Sequence, residues 1–371
     1  MRILYCSDNS SEHNRRFVSQ LSAAGHEIFF LDISCSSADD HPFWKNVVHV
    51  RHGMQLQRGS EPDSVKKFMP EFRSVVANLR PEVIHAGPVQ NCGYLAALCG
   101  FRPLVVMSWG SDLLVDASRG PQWVHATETA LRSADGFVCD CDAVLKEARK
   151  YSPLPDWRIA QFPWGVSAGV FSPEGPKAQI PFGAETIRFI CTRSWEPIYG
   201  MDVLLKGFVK AYGLDNRLRL LMVGDGSLGE WIHEFVLRNS LSDVVLAPGR
   251  LSTSELPLWF RAASAYVSCA ESDGTSVSLL EAMATGLPVV VTDIPSNREW
   301  VKQEENGWLA LGTADFATML LRVSQLTARQ SEKISENNRR TVALRADWSK
   351  NFALLLQLFG RLVDSGEAVS A

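Results

Sequence analysis

The sequence predicts an α/β protein built from two doubly wound domains, each a parallel sheet with helices on both faces. Three observations carry that expectation. Short β-branched or aromatic runs alternate with helical-period segments along the chain, a Pro- and Gly-rich stretch near residue 175 breaks the alternation once, and 371 residues exceed one ordinary core. Two domains of about 150–200 residues each suit that length.

In the first half the strand-like runs are Arg2–Cys6, Glu27–Asp32, Val47–Val50, Glu82–Ala86, Leu104–Ser108, Gly136–Asp140 and Ile159–Phe162. Between the first two, Glu12–Ala24 sets Phe17, Val18, Leu21 and Ala24 at helical spacing and stops at Gly25, making a strand, helix, strand unit. The text from Ser172 to Pro181 loses its period and gains Pro and Gly, as an exposed linker does. A second series follows: Ile187–Cys191, Leu218–Val223, Val244–Leu246, Ala265–Cys269, Pro288–Thr292 and Gly307–Leu309. The expected domains are 1–172 and 173–345, with a C-terminal helix over 346–371 free to pack back on the first domain. Such domains face a central cleft lined by strand C-termini and helix N-termini, where ligands bind.

Composition narrows the function. With 46% hydrophobic residues, 21% charged residues and a net charge of −4, neither a disordered chain nor a nucleic-acid-coating surface is expected. The eight cysteines, Cys6, Cys35, Cys92, Cys99, Cys139, Cys141, Cys191 and Cys269, show no CxxC pair or metal spacing and read as reduced, mostly buried thiols. The N-terminus opens directly into a strand, and no apolar run approaches the ~20 residues that span a bilayer. The expectation is a cytoplasmic protein, with peripheral contact at the inner membrane face left open.

The richest stretch, Ser268 to Asp293, reads as strand, loop, helix, strand. Gly274 permits a tight turn, Thr275 or Ser276 caps the helix, and Gly286 ends it. The free N–H groups near 275–278, Val277 among them, favour a phosphate. Asp273 and Glu281 flank that anion site, and carboxylates suit vicinal sugar hydroxyls because each accepts two or more hydrogen bonds. This block resembles the family 4 retaining glycosyltransferases, whose C-terminal domain carries a Glu, seven residues, Glu motif. The resemblance extends over nearly the whole chain. It implies the GT-B fold of two Rossmann-like domains and transfer of a sugar from a nucleotide-sugar donor. It also assigns Glu281 to the nucleotide ribose and Asp273, which stands where the family has Glu, to the donor sugar.

Ile190 to Leu205 resembles the family's strand and loop that bring an Arg and a Lys to the donor diphosphate. Arg193 matches the Arg, so that Arg193 and Asp273 are the expected catalytic pair; Tyr199 stands where the Lys belongs. Gly224-Asp-Gly-Ser-Leu-Gly229 matches the dinucleotide fingerprint G-x-G-x-x-G, but its strand opens neither domain and no acidic strand end follows about twenty residues on. The same turn is usual near the nucleotide base in the resembled family, which makes Gly224 a donor-side residue and a dehydrogenase a poor alternative.

On the N-terminal side, Asp8, Asn9 and His13 follow the first strand and are acceptor-side candidates, with His13 equally readable as a solvated first-turn residue. In Met107-Ser-Trp-Gly-Ser-Asp112 the family commonly has His where Trp109 stands, so no proton shuttle is assigned there; Trp109 can stack on a sugar face, and Asp112 keeps the pattern. His85 ends a strand at the expected cleft edge, and a lone histidine there is also readable as structural. The sequence offers no acidic metal cluster and implies no cofactor beyond the nucleotide-sugar co-substrate. The acceptor stays open among a glycan, a lipid-linked saccharide and a small molecule. The rival readings are a GT-B relative that binds a sugar nucleotide or glycan without transfer, and an epimerase or phosphorylase of the same architecture.

Overall fold

The computed structural model describes residues 1–9, 11–34, 46–57, 59–167 and 169–367; Cys35 lies outside them. All thirteen expected strands form: β1 (Arg2–Ser7), β2 (Glu27–Asp32), β3 (Val47–His49), β4 (Val83–Ala86), β5 (Leu104–Met107), β6 (Gly136–Cys139), β7 (Ile159–Gln161), β8 (Ile187–Cys191), β9 (Leu218–Val223), β10 (Val245–Gly249), β11 (Ala265–Ser268), β12 (Val289–Thr292) and β13 (Gly307–Ala310). They pair in parallel into a seven-stranded sheet ordered β3-β2-β1-β4-β5-β6-β7 and a six-stranded sheet ordered β10-β9-β8-β11-β12-β13. Such strands are buried on both faces, which is why β4, β5, β6 and β11 are buried at every position and show no polar alternation.

The chain divides into two compact units. One is Met1–Phe162 joined by the residues from Phe352 onward; the other is Pro163–Asn351. The division falls before the Pro- and Gly-rich stretch at 172, because Val166 donates to the Ala346 carbonyl at 2.9 Å and bridges to Asp347, so Pro163 to Ser172 is tied to the second unit. In the helix Trp348–Glu367, Phe352, Leu355, Phe359 and Leu362 share one face at i, i+3, i+7 and i+10 and are buried. Phe352 stacks edge-on to Phe17, and Leu358 and Leu362 close on Gly136 of β6, so the end of the chain completes the first unit's core.

Strand order reverses between β1 and β4 in the first unit and between β8 and β11 in the second. At such a switch point the connections leave in opposite directions and open a crevice at the strands' C-terminal ends, the usual ligand position in open α/β sheets. Asp8, Asn9 and His13 follow β1, and Arg193 and Asp273 follow β8 and β11, at those two places.

Candidate functional site

In the second unit, the loop leaving β8 carries Arg193 and the loop leaving β11 carries Asp273, so the switch point brings them together from distant parts of the sequence. Arg193 Nη2 meets the Asp273 carboxylate at 2.8 Å, with the side chains 11% and 19% exposed. Its Nη1 donates to Ser276 Oγ at 2.8 Å and to Ser278 Oγ at 3.4 Å. Ser276 is the N-cap of the helix Val277–Ala284; its hydroxyl also accepts the Leu279 N–H at 3.3 Å. Ser278 Oγ lies 2.8 Å from the buried Tyr266 hydroxyl on β11. The guanidinium is thereby fixed at a helix N-terminus, where helix dipole and cation both favour a bound anion.

Tyr199 stands in that cluster, its ring 4.1 Å from the Arg193 guanidinium carbon. Stacking on a planar guanidinium restrains it without adding charge. Burial opposes the Arg193 charge, but Asp273, Tyr199 and Tyr266 outweigh it and hold the guanidinium above its ordinary pKa. Burial raises the Asp273 carboxyl, against the pull of Arg193 and of the Gly274 N–H. Gly274 and Thr275 are buried beside it; Val277 and Glu281, on the first turns of the helix, are partly exposed.

A neighbouring loop explains the glycine fingerprint. Trp195 lies buried against the turn after β9: its N–H donates to the Asp225 carbonyl at 2.9 Å and its carbonyl accepts the Leu228 N–H at 2.9 Å. A Cβ at Gly224 would come 2.5 Å from the Arg193 carbonyl oxygen, and one at Gly226 would meet Trp195 backbone atoms at 2.5–2.9 Å. These glycines permit the loop carrying Arg193 to sit directly on the turn. Glu196 fastens the same join, accepting from Ser227 Oγ at 2.5 Å.

Two family models cover most of the chain: "Glycosyltransferase Family 4" matches residues 10–169 and "Glycosyl transferases group 1" matches 185–326. The chain belongs to the family 4 glycosyltransferases. Among its relatives in the family, the alpha-monoglucosyldiacylglycerol synthase of Streptococcus pneumoniae is 24% identical over 212 residues, 54% of this chain and 47% of that protein. The chain thus spans about half the length of that relative. A D-inositol 3-phosphate glycosyltransferase of an Arthrobacter species is 24% identical over 390 residues, 94% of this chain and 89% of that protein. Among solved structures, sucrose-phosphate synthase from Thermosynechococcus elongatus superposes with a TM-score of 0.84 at 17% identity, covering 98% of this chain and all of that one. Anabaena HepE in complex with UDP and glucose gives 0.76 at 15% identity, with 98% and 100% covered. The fold is GT-B.

In the first unit the switch point between β1 and β4 holds a second polar cluster. Asn91, on the turn after β4, donates to Asp8 Oδ2 at 3.0 Å, and Asn9 donates to Asp8 Oδ1 at 2.8 Å. Burial raises the Asp8 carboxyl, while those two hydrogen bonds pull it down. The side chain of Asn9 is held in turn by Asn14 at 2.9 Å; Asn14 also serves Ser7 and the Tyr5 hydroxyl. His13 and Trp109 lie near one another, ring centroids 6.1 Å apart, with Phe17 edge-on to Trp109.

Two of the expected acceptor-side residues point elsewhere. His85 is fully buried: Tyr5, Phe17 and Phe359 surround it and Met107 Sδ lies 3.4 Å from its Nε2, so it reaches no acceptor. Desolvation lowers its pKa to about 3 and keeps it neutral. Its strand is buried on both faces, which a lone sequence position does not reveal. Asp112 is 3% exposed and accepts four internal hydrogen bonds, from Ser108 Oγ (2.6 Å) and the backbone N–H groups of Val89 (3.0 Å), Trp109 (3.1 Å) and Leu113 (3.1 Å). It positions the turns after β4 and β5 instead of contacting a ligand, and burial raises its pKa to about 6. Ser278, Tyr266, Trp195 and Asn14 complete these clusters without having stood out in the sequence. A serine two places beyond an N-cap is the one local signal that points at any of them.

Among the described residues no three His, Cys, Asp or Glu side chains cluster as metal ligands, and no helix is long and apolar enough to cross a membrane.

Proposed function

We propose that this chain transfers a sugar, with retention of anomeric configuration, from a nucleotide-sugar donor held on its second unit to a hydroxyl acceptor recognised by its first. The observation that carries the reading is the convergence of Arg193, Asp273 and the Ser276-capped helix N-terminus at the β8/β11 switch point. In this reading the donor diphosphate takes the place beside Arg193 and the N–H groups of Val277 and Ser278. Glu281 accepts from the ribose hydroxyls and Asp273 from the sugar.

As the bond from the anomeric carbon to the phosphate oxygen breaks, negative charge grows on the leaving diphosphate, where a fixed guanidinium and a helix N-terminus stabilise it without rearranging. The acceptor hydroxyl attacks from the same face and its proton passes to the departing phosphate oxygen, a route that needs no histidine at Trp109. The first unit offers Asp8, Asn9, His13 and Trp109 to the acceptor: polar groups for hydroxyls and an indole for an apolar sugar face. The proposal includes activity without a divalent ion, the diphosphate charge being met by protein groups. Anabaena HepE, which shares the fold, is solved with UDP and with UDP-glucose, so a uridine donor is the first to test.

Thermal stabilisation by a panel of UDP-, GDP-, ADP- and dTDP-sugars tests the reading. One nucleotide class should raise the melting temperature of the wild type and lose its effect with Glu281→Ala and Arg193→Ala. If no donor stabilises the protein, the second reading, a non-catalytic relative in which Tyr199 replaces the diphosphate lysine, takes its place.

A further inference from the structure

We infer that Asp273 occupies the place of the donor diphosphate on Arg193 in the unliganded protein, and thereby makes the site prefer a sugar nucleotide over the bare nucleoside diphosphate. The inference rests on the proposed donor site and deepens it.

Apart from the Tyr199 stack, Arg193 is held through its two terminal nitrogens: Nη2 on Asp273 at 2.8 Å, Nη1 on Ser276 at 2.8 Å and Ser278 at 3.4 Å. Its Nε is buried and has no hydrogen-bond partner. A guanidinium clamps phosphate through a planar pair of N–H groups, and here one terminal nitrogen is already taken by a carboxylate that presents the same paired oxygens as a phosphate. A diphosphate that takes the same N–H of that nitrogen must displace Asp273. The displaced carboxylate is 19% exposed and is pushed by burial toward its neutral form, so losing Arg193 leaves a partly buried acid that needs new donors.

The hydroxyls of a donor sugar supply them. A bare nucleoside diphosphate does not, and leaves the carboxylate unpaired beside added negative charge. The exchange is therefore compensated for the substrate and uncompensated for the product. After transfer, Asp273 returns to Arg193 as the diphosphate leaves, which favours product release.

The test is calorimetric titration of wild type, Asp273→Asn and Asp273→Ser with UDP, GDP and ADP and with their glucose derivatives, each variant first checked by its ligand-free melting curve. In both variants the nucleoside diphosphate that binds should bind more tightly, on the order of tenfold, the effect of freeing one shielded guanidinium. The matching sugar nucleotide should bind no more tightly than to wild type, so that the preference narrows or reverses. Unchanged diphosphate affinity with weakened sugar nucleotide would make Asp273 a sugar contact only, and would overturn the inference while leaving the donor site standing. Equal weakening of both ligands would make Asp273 a mere support for Arg193, and would likewise overturn the inference but not the site. Failure of every nucleotide to bind wild type and variants would remove the donor site and the inference together.

Discussion

Ser276 serves two structures with one hydroxyl, and its removal has a calculable cost. In Ser276→Ala the helix Val277–Ala284 loses its N-cap bond to Leu279, worth about 1 kcal/mol. Arg193 loses its 2.8 Å acceptor, and a hydrogen bond to a charged group contributes about 1.5–3 kcal/mol. Ser278 Oγ, 3.4 Å from the same nitrogen, recovers part of that second contribution. The sum is a destabilisation of about 2–3 kcal/mol in the second unit. For a unit of this size that corresponds to a fall of roughly 5–10 °C in its melting temperature. Urea titration and scanning calorimetry of the full chain read it, with Ser276→Thr as the control that keeps the hydroxyl. A loss below about 0.5 kcal/mol, or an equal loss in Ser276→Thr, would refute the claim that this hydroxyl fixes the guanidinium.

Two further outcomes follow from the packing. His85, neutral in the fold with a pKa of about 3 against an ordinary 6.5, contributes stability that is full above pH 6.5 and drains away as pH falls toward 3, because the unfolded chain takes up a proton that the fold refuses. Between pH 7 and pH 5 the loss is about 2 kcal/mol, and His85→Phe should flatten that part of the urea midpoint against pH curve; identical curves would contradict it. Gly226→Ala drives a Cβ to within 2.5–2.9 Å of the Trp195 backbone, which has no flexible end to yield, so the second unit should lose at least about 2 kcal/mol by urea titration. A neutral result would mean that the two loops are not seated on each other.

The strands were legible because a buried parallel sheet writes itself as short runs of Val, Ile, Leu and Phe between helical segments, and that signal is local. What the strands bring together was not. Arg193 and Asp273 were both marked by resemblance, yet no pattern in either segment says that the two side chains pair, since that depends on β8 lying beside β11. His85 looked like a rim residue because it ends a strand; the face it takes is set by Phe17 and Phe359 closing over it from helices far apart in sequence. The Pro- and Gly-rich stretch marked a break in periodicity, while the division between units is set by Val166 binding to Ala346 and Asp347, a contact invisible to composition. The match of the glycine fingerprint to a dinucleotide motif was a coincidence of spacing: Gly224 and Gly226 make room for the Arg193 carbonyl and for Trp195.

The central claim is that the β8/β11 switch point of the second unit binds the donor diphosphate. A crystal structure of the protein with the nucleoside diphosphate that stabilises it most would test it directly. The account predicts phosphate oxygens within hydrogen-bond distance of Arg193 and of the N–H groups that begin the helix Val277–Ala284, with the ribose against Glu281. Diphosphate density anywhere else, with Arg193 still closed on Asp273, would contradict it.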